Sequence, residues 1–157
     1  MKRTIFIAAS IFAIMILSST SCEEEPFINI QELETRIYNE IKAHREANGI
    51  GGTFVHQFLM VKEAQLYSAK MAFGTQDVST SGIQEHWDIL NQLGGENNQT
   101  LIQKVPSSYT APEIVQVWKD NPETDSLLLL NYTQCGAGIA TSDGFTYVTV
   151  LMMLIPE

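Results

Sequence analysis

Cysteine, basic residues and membrane-length apolar runs are all scarce in this sequence, and each shortage excludes a class of protein. Only Cys22 and Cys135 occur in 157 residues. A disulfide-stapled scaffold is therefore excluded, and stability has to come from a packed core. Nine basic residues stand against 18 acidic ones, for a formal charge of −9. A chain of that sign repels phosphate backbones, so no nucleic-acid partner is expected. The longest apolar run, Ile5 to Leu17, is interrupted by Ser10 and falls short of the roughly 20 residues that cross a bilayer as a helix. No G-x-S-x-G elbow or S-x-x-K pair is present, so a serine hydrolase has no support. The cluster Gly49, Gly51 and Gly52 lacks the lysine of a phosphate loop. With 45% hydrophobic and 17% charged residues, the remainder reads as one globular domain rather than a disordered tail.

The amino terminus has the layout of a leader. Lys2 and Arg3 precede the apolar run, and Ser18, Ser19, Thr20 and Ser21 lead to Cys22. A cysteine directly after small residues resembles the lipobox of bacterial lipoproteins, with Ser19 standing where leucine is usual. The resemblance implies cleavage of residues 1–21 and lipid on Cys22, with the membrane as a partner through that lipid. Glu23, Glu24 and Glu25 resemble the acidic tag that places some lipoproteins on the outer face of the cell; an acidic solvated linker reads the same way. Residues 22–28 are thus expected to be a tether, and residues 29–157 the domain. The expected location is the outer membrane or cell surface, lipid-anchored.

Along the domain, Ile30, Leu33, Ile37 and Ile41 recur at helical spacing and predict an amphipathic helix over 29–47, stopped by Asn48 and Gly49. Met60, Ala64, Tyr67 and Met71 predict a second from Phe58 to Phe73. Ile83, Trp87 and Leu90 outline a shorter third. The polar stretch Asn97–Ser108 reads as loop. Pro112 opens a fourth helix with Ile114, Val115 and Trp118 on its apolar face, and Asn121-Pro122 ends it. Cys135–Thr141 and Phe145–Leu154, joined by Ser142, Asp143 and Gly144, form a hairpin pattern. Helices in front and a hairpin behind predict an α+β layered domain.

The order of His44, Arg45 and Gly49, then Ala64 and Met71, then Gly82, Gly95-Glu96-Asn97, Trp118, Asn121-Pro122, Asn131-Tyr132-Thr133-Gln134 and Gly136-Ala137-Gly138 resembles the CAP superfamily, the SCP-like extracellular domain. The resemblance runs over roughly residues 29 to 155 and implies a three-layer α-β-α sandwich with a small antiparallel sheet. It also implies a cleft with two histidines and two acidic residues that sometimes hold a divalent cation. Of that set Glu96 is retained, with Glu123 as a neighbour. The histidine positions are occupied by the Val78–Ser81 stretch, Thr124 and Asn131.

Two carboxylates without imidazole make a poor zinc site, so no metal and no cofactor is expected. His44, His56 and His86 share no ligand spacing, and Glu40, four residues before His44, supplies it with a helical ion pair. Cys135, among small residues, reads as a buried apolar thiol, since a nucleophile would need a neighbouring base. Glu96, Asn97, Trp118, Thr124 and Asn131 are the expected binding cleft, with Trp118 also the firmer core residue. Glu96 is expected to accept hydrogen bonds at the loop after Gly95. The chain so read is a surface- or envelope-anchored CAP-like module binding a small apolar ligand, a peptide or a partner protein. The alternatives are a hydrolase acting on peptide or cell-wall material, with Glu96 and Glu123 as candidate catalytic carboxylates, and a purely structural envelope lipoprotein.

Overall fold

The structure, a computed structural model, describes residues 29–156. The expected leader, tether and Cys22 lie outside the described residues. Helix α1 (Ile30–Ala47) starts where Asn29 Oδ1 accepts from Glu32 N at 3.2 Å and stops before Gly49, at φ 78°. A two-residue strand β1 (Val55–His56) leads into α2 (Phe58–Ala72). Next come α3 (Gln84–Leu90) with a 3-10 turn at Asn91–Leu93, and β2 (Glu96–Pro106). Two further helices, α4 (Ala111–Lys119) and α5 (Pro122–Leu128), precede β3 (Gln134–Ser142) and β4 (Phe145–Leu154).

The sheet runs β1-β3-β4-β2, antiparallel except for the parallel β1–β3 pair. Alternation along β3 and β4 separates two cores. Cys135, Ala137, Ile139, Val148, Val150 and Met152 meet α1, α4 and α5 on one face. On the other, Leu151 and Met153 meet Met60, Ala64, Trp87 and Leu90 of α2 and α3. The architecture is an α-β-α sandwich, as the sequence implied.

Two glycines set the spacing of these layers. A β-carbon on Gly136 would lie 2.3 Å from the Met60 carbonyl carbon, and one on Gly138 would lie 2.1 Å from Gln65 N. Helix α2 therefore rests with its backbone directly on β3, an approach only glycine allows. Ser68 Oγ completes the contact, donating to Gly138 O at 2.9 Å.

The structure corrects three local readings. Asn97–Ser108 is mostly strand: β2 is polar because it is an edge strand with few buried side chains, chiefly Thr100, Leu101 and Val105. Asn121-Pro122 ends α4 but also begins α5, Asn121 Oδ1 accepting from Glu123 N at 3.0 Å with Pro122 in the first turn. His44 pairs across to α5, its Nε2 lying 2.7 Å from Asp125 Oδ1. The expected Glu40 partner is not used because the ring turns toward α5.

Candidate functional site

The expected cleft residues divide among three places. Gly95 packs against β4, where a β-carbon would meet Met153 Sδ at 2.6 Å, and a bulge follows because Glu96 pairs with Leu154 but Gln99 with Met152. Asn97 takes a positive φ of 53° in this bulge. Glu96 is exposed, and among the described residues no hydrogen bond reaches its carboxylate. Asn97, Asn98, Gln99, Leu130, Asn131 and Tyr132 line a groove of about 450 Å3. Here the structure brings Asn97 and Asn131 together.

Thr124 lies elsewhere, in a groove of about 420 Å3 along β2. Its hydroxyl donates to Trp118 O at 2.6 Å and contacts Asn121 O at 3.2 Å. Thr124 thus caps the end of α4. Trp118 is 2% exposed and belongs to the core, so it lines neither of these two grooves. Glu123 sits exposed in the first turn of α5, and no hydrogen bond joins it to Glu96 among the described residues. The Ser79–Ser81 segment is pinned by Tyr67, whose hydroxyl donates to Ser79 O at 2.8 Å and Ser81 O at 3.1 Å.

The histidines are dispersed. His86 is buried, with Nδ1 2.7 Å from Glu63 Oε2 and Nε2 3.0 Å from Lys70 Nζ. His56 stacks on Tyr38 with ring centroids 4.6 Å apart, and burial lowers its pKa, favouring the neutral imidazole. Among the described residues, no three His, Cys, Asp or Glu side chains converge as a metal-holding group. Cys135 is fully buried and its thiol is pushed up to about 12 by desolvation, with Arg45 opposing, so it carries no thiolate at neutral pH.

Two charged residues organise the region: Glu34, which the sequence reading passed over, and Arg45, which it named without assigning a role. Glu34 is 1% exposed, and its carboxylate accepts from Ile139 N at 3.0 Å and from Gln65 Nε2 at 2.8 Å. Desolvation raises its pKa, while those two donors pull the other way. Arg45 is 3% exposed and donates to Leu128 O, Leu130 O and Tyr132 O at 2.6, 2.7 and 3.2 Å, with its guanidinium over the Phe54 ring at 4.5 Å. It thereby holds the segment carrying Asn131 against α1. Both residues lie on the stripe of Ile37 and Ile41, so a charge in the buried phase of the helix was the available signal.

The sequence matches no protein-family model and no curated protein. The fold, however, is that of an SCP-like domain. An extracellular protein containing an SCP domain from Bacillus anthracis superposes with a TM-score of 0.60 at 13% identity, over 80% of this chain and 41% of that one. This chain thus spans well under half of that protein. An outer surface protein from Borrelia burgdorferi superposes with a TM-score of 0.68 at 16% identity, over 82% of this chain and 97% of the other. No helix among the described residues is long and apolar enough to cross a membrane.

Proposed function

We propose that this chain is a surface- or envelope-anchored, non-catalytic SCP-like binding module, tethered by lipid on Cys22 and without the metal-holding histidines that the family resemblance implies. The supporting observation is the make-up of the groove at the start of β2. Asn97, Asn98, Gln99 and Asn131 offer amide donors and acceptors, and Leu130 and Tyr132 offer apolar surface. None of these is a general base at neutral pH, and none is an imidazole, thiolate or carboxylate of the kind that holds zinc. The leader pattern and the surface and extracellular proteins that share the fold favour the location.

Native mass spectrometry of the protein from its own cells tests the reading. The expected spectrum shows a diacylglycerol mass on the mature chain, no zinc, and a bound small molecule or peptide that Asn131→Ala diminishes. One zinc per chain, or hydrolysis of peptide or cell-wall material that Glu96→Gln abolishes, would overturn it.

A further inference from the structure

Strand β2 lies at the edge of the sheet with only β4 beside it, and the register identifies which of its backbone groups are free. The two-residue Asp143-Gly144 turn makes Ser142 and Phe145 the first bonded pair. Bonding then alternates, so Thr146, Val148, Val150 and Met152 turn their N–H and C=O groups toward β2. Their partners are Val105, Gln103, Leu101 and Gln99. Thr100, Ile102 and Lys104 consequently face outward. Ser107 N, in phase with the inward set, donates to Gly144 O at 2.9 Å, which agrees with that parity.

The outward edge is open but not bare. Gln99 Nε2 donates to Thr100 O at 3.1 Å and Gln103 Nε2 to Lys104 O at 3.4 Å, while Ile102 N–H and C=O have no partner among the described residues. The 420 Å3 groove is lined by every residue from Thr100 to Lys104. Consecutive strand residues point to opposite faces, so only the backbone edge can present all five to one groove. Val78, Ser79 and Thr80 form one wall, and Thr124 and Leu127 the other. No carboxylate lines it, and Lys104 is its one charge, in a protein of net charge −9.

We propose that the free edge of β2 takes an extended peptide segment as a fifth strand, uncharged along its length except for one acidic residue against Lys104. Main-chain bonds to Thr100, Ile102 and Lys104 supply the attachment, and the two walls select small or apolar side chains. A second copy of the chain is disfavoured, because it would bring the same net negative charge and the same lysine. The proposal rests on the binding-module reading and names its partner class.

The test uses the mature protein and a capped octapeptide of alternating threonine and valine with one aspartate. Residue-resolved amide exchange should slow at Thr100, Ile102 and Lys104 when the peptide is added, and remain unchanged at Gln99, Leu101 and Gln103. N-methylating one alternating set of peptide amides should leave binding intact, and methylating the other set should weaken it by more than about tenfold. Lys104→Glu, at an exposed site, should weaken the aspartate peptide about threefold and favour a second peptide with lysine in place of that aspartate. Ile102→Pro removes an outward N–H without touching the β4 ladder, a position where edge strands accept proline, and should abolish binding. No protection up to millimolar peptide, equal loss from both methylated sets, or protection that rises with protein concentration alone would overturn the proposal. A ligand detected by native mass spectrometry with this edge unprotected would do so while leaving the binding module standing.

Discussion

Arg45 is a buried cation with no carboxylate against it among the described residues; three carbonyls and two aromatic rings take that place. Truncation would strand those carbonyls and empty the stack, so Arg45→Ala should lower unfolding free energy by about 3 to 5 kcal/mol in urea denaturation. Glu34→Ala leaves Ile139 N–H and the Gln65 amide unpaired and should cost about 1 to 3 kcal/mol. Glu34 also fixes a pH dependence. Because burial raises its folded pKa above the unfolded value, the native state holds the extra proton in that window. This group's contribution to stability is therefore lost as pH rises from the ordinary carboxyl range through the folded pKa. Glu34→Gln should flatten that part of the curve of midpoint against pH; an unchanged slope would assign it to other carboxylates. Glu96, exposed and unbonded, should behave oppositely to Glu34: Glu96→Ala should change stability by less than about 0.5 kcal/mol. Helical phase was the signal for the burial of Glu34 and Arg45, but the backbone groups they bond lie 105 and 83 to 87 residues further along the chain. No local pattern points that far.

At the scale of elements, local signals were sufficient for α1, α2 and the β3–β4 hairpin, while α5 was missed although its Asn121 cap is local. The α1 cap, the α2 stripe and the Asp143-Gly144 turn are short-range, and the predicted and observed boundaries differ there by a residue or so. Strand β2 was not legible because its pairing is entirely with β4, some fifty residues later, and its edge position leaves it polar. Where α2 meets β3 the requirement is steric, and Gly138→Ala should cost at least about 2 kcal/mol, since the new methyl meets helix backbone rather than a movable side chain. Equal stability of Gly138→Ala and wild type in chemical denaturation would mean that α2 slides freely on the sheet.

Across the whole molecule, the layered class followed from the order of helices and hairpin, and the sandwich from a handful of glycine and aromatic positions. The cleft was less legible. Trp118, Thr124 and Asn131 occupy core, helix cap and groove respectively, because sequence order along a motif does not convey which side of a helix a residue faces. The closed core also shields its thiol. In a Cys22→Ala protein, Cys135 should react with a disulfide reagent only as fast as the chain unfolds, given full burial and a pKa of about 12. Rapid labelling of the native protein would show that the α1 face opens readily.

The contact of α2 with Gly136 and Gly138 bears on how such a chain changes over time. Chemistry at a cleft can be lost one side chain at a time. A site with no room for a methyl group has no such gradual path. In a library holding all twenty residues at each position, Gly136 and Gly138 should admit glycine alone, while Gly49 and Gly74, positive in φ but open around the β-carbon, should also admit asparagine. Steric exclusion therefore holds the architecture in place while the side chains that line a groove remain free to change.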